Sequence, residues 1–238
     1  MESIKGKNIL IAGATGSIGS SVTGLLHASG ANLFLTGRNE EKLRSLAISF
    51  NLADANYFAG DLSDSAAVSS LKKKYFESFG HIDILINASG IGIIKQMETL
   101  EETDFMQSIQ ANLVAPWLLM KAFLPAMKEV KKGLVIHIPG VLGKVPMAGA
   151  AAYCASKYGL VGMMQSIREE LKRTDIRITN LFLGGVDSAF WDNIDLRVQR
   201  EKMIKATEAA KAIWFLCQQP ASAVISEMVL QPFNHQAI

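Results

Sequence analysis

The chain has 238 residues, 49% of them hydrophobic and 19% charged, with a formal net charge of +2. That length holds one large α/β domain or two small ones, and the composition supports a deep core. Lys and Arg are spread along the chain, leaving no footprint for nucleic acid or a membrane surface, and no apolar run reaches a membrane-spanning length. The run Lys72-Lys73-Lys74 sits in a helical pattern and reads as a solvated face. Cys154 and Cys217 make neither a metal nor a disulfide pattern, which suits a reducing cytoplasm, and Met1–Gly6 lacks the features of a secretory leader.

Asn8–Ala12 is a short apolar run, the mark of a buried strand, and it passes into Gly13-Ala14-Thr15-Gly16-Ser17-Ile18-Gly19 and then a helical pattern through Val22, Leu25 and Leu26. A glycine-rich turn between strand and helix brings backbone N–H groups to a pyrophosphate, with the helix N-terminus favouring its charge. The alternative is a purely structural turn. Ala31–Thr36 reads as the second strand, followed by Gly37, Arg38 and a helix from Glu40. A fold tuned for NAD places an acid here to bind ribose hydroxyls. A guanidinium instead grips a 2′-phosphate, so Arg38 favours NADP(H) with NAD(H) still possible, unless it is merely structural.

Asn56–Ala59 reads as the third strand, leading to Asp61. That carboxylate could bind an adenine amino group or cap the helix beginning near Ser63 or Asp64. The helix runs to about Phe79, and His81–Ile86 forms the fourth strand, ending in Asn87-Ala88-Ser89-Gly90. Those small residues let a cofactor ribose lie against the backbone. A long helix follows from about Leu100 to Val130 with Asn112 inside its apolar pattern. A buried amide needs partners, here backbone or a water near Lys157.

Gly133–Ile138 is the fifth strand, broken by Pro139-Gly140, and His137 between apolar residues reads as a packed side chain. Ala151–Gly159 opens the next helix with Tyr153 and Lys157 four apart, hence on one face and in one cleft. A neighbouring ammonium favours the phenolate and lowers the phenol's pKa toward that of a working proton donor. Ile176–Phe182 is the sixth strand and opens into Gly184-Gly185-Val186-Asp187-Ser188. The mixed text from Ala189 to about Thr207 is a candidate lid over substrate, and its members Phe190 and Trp191 suggest a partly greasy cleft. A last helix, Glu208–Cys217, and a last strand, Val224–Leu230, complete the pattern. Strands alternating with helices imply one parallel sheet covered on both faces.

In this order the motifs resemble the short-chain dehydrogenase/reductase superfamily, over nearly the whole chain from Asn8 to about Pro232. The resemblance implies a Rossmann-type doubly wound α/β/α domain of about seven strands spanning residues 1–238, with a substrate loop at about 186–207. It implies catalytic roles for Tyr153, Lys157 and Asn112. It implies cofactor contacts from Gly13, Thr15, Gly16, Ser17, Ile18, Gly19, Arg38, Asp61, Asn87, Ala88, Ser89, Gly90, Tyr153 and Lys157. Gly185, Val186 and Ser188 would hold the nicotinamide amide, with Ser188 in the role of the family's Thr. The substrate would be a small-molecule carbonyl or alcohol, and pairing through two long helices would give a homodimer or homotetramer. The chain departs from the family pattern in two places. Its glycine turn is G-x-x-G-x-x-G, and the family's active-site Ser, thirteen residues before the Tyr, is replaced by Gly140. Loss of one such donor costs about 2.7–4 kcal/mol of transition-state stabilisation.

Overall fold

Apolar runs separated by amphipathic helices bury both strand faces only as one parallel sheet between two helical layers. The computed structural model, which describes residues 1–194 and 196–234, has that arrangement. Strands β1 (Asn8–Ala12), β2 (Asn32–Gly37), β3 (Tyr57–Ala59), β4 (Ile84–Asn87), β5 (Lys132–His137) and β6 (Asp175–Leu183) precede a short pair, β7 (Val186–Asp187) and β8 (Ile204–Lys205), and a final β9 (Glu227–Leu230). Seven of them form a parallel sheet in the order β3-β2-β1-β4-β5-β6-β9. The helices are α1 (Ser17–Ala28), α2 (Glu40–Ser49), α3 (Ser65–Phe79), α4 (Glu102–Ile109), α5 (Ala115–Val130), α6 (Ala151–Glu170) and α7 (Ala206–Cys217).

Alternate strand residues divide the core. Ile9 and Ile11 pack with Val22 and Leu26 of α1, Leu43 of α2 and Ile213 of α7. Leu10 and Ala12 face the other layer, with Leu71 and Tyr75 of α3, Phe123 of α5 and Leu160 of α6. The strand order reverses between β1 and β4, where chains leaving the carboxyl ends diverge to opposite faces and open a crevice. Ala12 and Asn87 are register partners at that point. The Gly13–Gly19 turn and the Asn87–Gly90 turn therefore flank the crevice.

Two expectations need correction. The helix read from Leu100 to Val130 is interrupted, since α4 and α5 are joined by a π-helical turn over Gln110–Val114. Pro116 has no amide to give the Asn112 carbonyl, and its ring would press on that group. The ladder widens, and the Ala115 amide reaches back to the Gln110 carbonyl. The segment read as a candidate lid carries a second small parallel sheet, β7 with β8, and 3-10 turns over Ala189–Asn193 and Arg200–Lys202. Asp195 in this segment lies outside the described residues, as do residues 235–238 of the expected 1–238 domain. Strand ends differ from the sequence reading by up to three residues, as where the last strand begins at Glu227 rather than Val224. Lys72 and Lys73 are exposed as expected, whereas Lys74 lies over the Tyr57 ring at 5.1 Å. Among the described residues no helix is long and apolar enough to cross a membrane.

Candidate active site

The crevice is shaped first by glycine. Gly13 has φ 76°, and a Cβ there would lie 2.7 Å from the Ser89 amide nitrogen and 2.8 Å from the Ala88 carbonyl oxygen. Only glycine lets the end of β1 touch the turn after β4. Gly19 presses against the Gly13 carbonyl with no room for a side chain. Gly16 caps α1 without a side-chain bond, and the first turn holds no acid. The first helical bond runs from the Ser20 amide to the Gly16 carbonyl at 2.8 Å, leaving the amides of Ser17, Ile18 and Gly19 outside the ladder. Three N–H groups outside the ladder at the positive end of a helix whose first turn holds no acid, and with no partner among the described residues, fit a diphosphate.

At the end of β2, Gly37 is buried, and a Cβ on it would sit 3.3 Å from Thr15 Oγ1. Arg38 beside it is exposed and makes no hydrogen bond or ion pair among the described residues. The Asp61 carboxylate accepts from the Ser63 amide at 2.9 Å and the Ser63 hydroxyl at 2.8 Å. Those bonds, with Arg38 nearby, hold it below the usual carboxylate range. Asp61 does not cap α3; Asp64 does, accepting from the Ala66 amide at 3.0 Å.

The turn after β4, the π turn and α6 converge on one point. Asn112 Oδ1 accepts from the Ile91 amide at 2.9 Å, while its Nδ2 donates to the Ile91 carbonyl at 3.0 Å and to Ser156 Oγ at 3.1 Å. Asn112 is thus bonded to backbone, one of the two partners weighed for it, and to Ser108 and Ser156. A Cβ on Gly90 would lie 2.8 Å from Asn112 Oδ1 and 3.3 Å from Lys157 Nζ. Lys157 is buried, donates to the Ile138 carbonyl at 3.2 Å and sits 5.5 Å from the centroid of the Tyr153 ring. Tyr153 and Lys157 thus share a helix face, as their spacing requires. Asn87 Oδ1 accepts from the Ser89 amide and hydroxyl at 3.1 and 2.6 Å, and Asn87 Nδ2 meets His137 Nδ1 at 3.2 Å. His137 is a packed side chain, wholly buried.

The phenol titration differs from the expectation. Burial pushes the Tyr153 phenol above its ordinary value, with the neighbouring Cys154 thiol adding to the rise. Loss of water from the phenolate sets that direction in the protein alone. The same burial pulls the Lys157 ammonium down to about 8. Gly140 stands at the position of the missing hydroxyl: a Cβ on it would lie 3.9 Å from Tyr153 Oη. Its φ of 71° and ψ of 168° fall in a region nearly reserved for glycine. Serine is therefore disfavoured by the backbone as well as absent.

Beyond β6, a Cβ on Gly185 would touch Met203, and the Val186 carbonyl accepts from Trp191 Nε1 at 3.0 Å. The Ser188 hydroxyl accepts from the Phe190 amide at 3.4 Å. Phe190 itself meets the Tyr153 ring, with centroids 5.7 Å apart. Ser108 and Ser156, both buried and bonded to Asn112, are the site residues that pattern reading passes over. Ser108 lies one helical turn before Asn112, and Ser156 directly precedes Lys157; those offsets are the available signal.

Comparison with known proteins agrees with this architecture. Residues 7–199 match the short chain dehydrogenase family. An uncharacterized oxidoreductase of Staphylococcus epidermidis is 27% identical over 232 residues, covering 98% of this chain and 100% of the relative. Among solved structures, an alcohol dehydrogenase from the archaeon Thermococcus sibiricus, complexed with 5-hydroxy-NADP, is 26% identical with a TM-score of 0.89, covering 98% of this chain and 100% of its own. A metagenomic short-chain oxidoreductase in complex with NADP is 31% identical with a TM-score of 0.83, covering 97% and 99%. From its crevice, its Tyr153–Lys157 face and these matches, the chain belongs to the short-chain dehydrogenase/reductase superfamily of oxidoreductases.

Proposed function

We propose that the protein is an NADP(H)-dependent oxidoreductase that moves hydride between the nicotinamide and the carbon of a carbonyl or alcohol substrate, with Tyr153 as acid/base. One observation carries this reading: Tyr153 and Lys157 project from α6 to the carboxyl end of β5, with Gly90 against both Lys157 and Asn112. Bound NADPH supplies the hydride, and the protein supplies geometry and charge. Tyr153 Oη gives its proton to the substrate oxygen as the carbonyl becomes an alcohol. Lys157 stabilises the phenolate left behind. Asn112, whose carbonyl lacks its ordinary helical donor because of Pro116, orders a water that returns the proton.

The glycine turn from Gly13 to Gly19, including Thr15, Gly16, Ser17 and Ile18, holds the diphosphate. Asn87, Ala88, Ser89 and Gly90 line the riboses, Asp61 meets the adenine, and Gly185, Val186 and Ser188 hold the carboxamide. Arg38 clamps the 2′-phosphate, so NADP(H) is preferred over NAD(H) and the cellular direction is reduction in the cytoplasm. The NADP-type ligands of the two solved relatives support that preference. Arg38→Asp is expected to shift the affinity ratio toward NAD(H); equal affinities for the two cofactors in the unaltered protein contradict the clamp.

A second reading has its own observation. With Gly140 held at φ 71°, no side-chain hydroxyl replaces the family's Ser at that position. On that reading the chain is a nucleotide-binding member with weak or lost catalysis, acting as a sensor or structural subunit. A carbonyl panel assayed for NADPH oxidation, beside the thermal shift with NADPH, separates the two. Turnover supports the oxidoreductase, and a thermal shift without turnover supports the sensor.

A further inference from the structure

Phe190 belongs to neither face of the core, yet its ring is half-buried. It meets the Tyr153 ring edge-on at 5.7 Å and 66°, and Trp191 at 5.0 Å. The Phe190 ring also lies so close to Gly92 that a Cβ there would overlap ring atoms Cε2 and Cζ. The loop after β4 and the segment after β6 therefore meet beside Tyr153 through one side chain. That side chain is held from behind. Arg200 donates to Asp187 at 2.8 Å, to Asp192 at 2.7 Å and to the Ser188 carbonyl at 2.7 Å, fixing the turn that carries Phe190. Lys205 also donates to Asp187, at 3.1 Å, so Arg200 and Lys205 are both committed to protein carboxylates.

We propose that Phe190 selects substrates beside Tyr153, so that the preferred ones are uncharged carbonyls or alcohols with a small apolar substituent. The proposal rests on Tyr153 being the acid/base. A substrate oxygen must come within hydrogen-bond reach of Tyr153 Oη. A substituent extending past Tyr153 toward Gly92 then meets the ring of Phe190. An apolar substituent of modest size packs on that ring, a bulky one overlaps it, and a charged one loses water against it. A single methylene in such a pocket is worth about 10–200-fold in kcat/KM, so removal of a whole ring is expected to be felt.

The test compares kcat/KM for butanal, 2-acetylnaphthalene and a keto acid in the unaltered protein, Phe190→Ala and Phe190→Leu, with NADPH affinity measured in each. The expected result is that Phe190→Ala raises the ratio of the naphthyl ketone to butanal by about tenfold or more, that Phe190→Leu falls between, and that NADPH affinity is unchanged. Gly92→Ala should depress all turnover by forcing the ring aside, and should do so far less when combined with Phe190→Ala. A ratio unchanged in both Phe190 variants, a preference for the keto acid, or equal harm from Gly92→Ala in either background overturns the selector role. Absence of turnover in every variant, with NADPH still bound, overturns the oxidoreductase reading and this proposal with it.

Discussion

His137 and Lys157 are two bases driven toward their neutral forms by the same buried corner. Asn87 Oδ1 is occupied by the Ser89 amide and hydroxyl, so its Nδ2 donates to His137 Nδ1 and the imidazole proton resides on Nε2. Burial, with the field of Lys157, pulls His137 down to about 3 from an ordinary 6.5. Between those values the unfolded chain binds a proton that the folded one refuses, so stability falls as pH falls through that window. One such group contributes a slope of about 1.4 kcal/mol per pH unit. Urea unfolding of His137→Asn should therefore show an acid limb shallower by about that amount between roughly pH 4 and pH 6; an unchanged slope contradicts the neutral buried imidazole. The sequence marks His137 as packed because apolar residues flank it. The bond to Asn87 joins side chains 50 positions apart, and nothing local encodes it.

Gly90 is where three elements are joined. Its φ of 154° and the closeness of Asn112 and Lys157 leave no room for a methyl group, which would push the Asn112 amide off the Ile91 backbone. Gly90→Ala is expected to cost about 1–3 kcal/mol by overpacking and to weaken NADPH binding. Gly162, exposed in the middle of α6 with nothing within 4 Å of the place a Cβ would take, provides the contrast. Gly162→Ala should gain about 0.5–1 kcal/mol from helix propensity and leave NADPH affinity alone. Equal effects of the two substitutions in thermal melts would refute the joint at Gly90. Strands and helices are legible at this scale because burial on one or two faces writes a period into the sequence. The π turn is written only in Pro116, whose missing amide acts on a carbonyl four residues earlier. The β7–β8 pair leaves no trace, since two-residue strands have no period to read.

At the scale of the molecule, the alternation of strand and helix fixes a parallel sheet, and strand order then places the crevice between β1 and β4. Tyr153, Lys157, Asn112 and the glycine turn are legible because each is a local motif; their convergence with Gly90 depends on topology, which local spacing does not contain. The same topology leaves Phe105 and Met106 of α4, Trp117 of α5 and Tyr158 of α6 exposed. We propose that burial of such side chains between copies drives assembly of the homodimer or homotetramer that the family resemblance implies. Light scattering at micromolar concentration should report at least twice the 25.8 kDa chain mass, and Trp117→Glu should reduce it; a monomer at all concentrations contradicts that pairing.

The proposed chemistry depends throughout on a proton held at Tyr153 Oη. Its most direct test is the initial rate of NADPH oxidation with the best substrate of the carbonyl panel, in the unaltered protein and in Tyr153→Phe, with NADPH affinity measured in both. The predicted result is a loss in kcat of about a hundred- to ten-thousandfold with NADPH still bound; a Tyr153→Phe enzyme that turns over at the unaltered rate would contradict it.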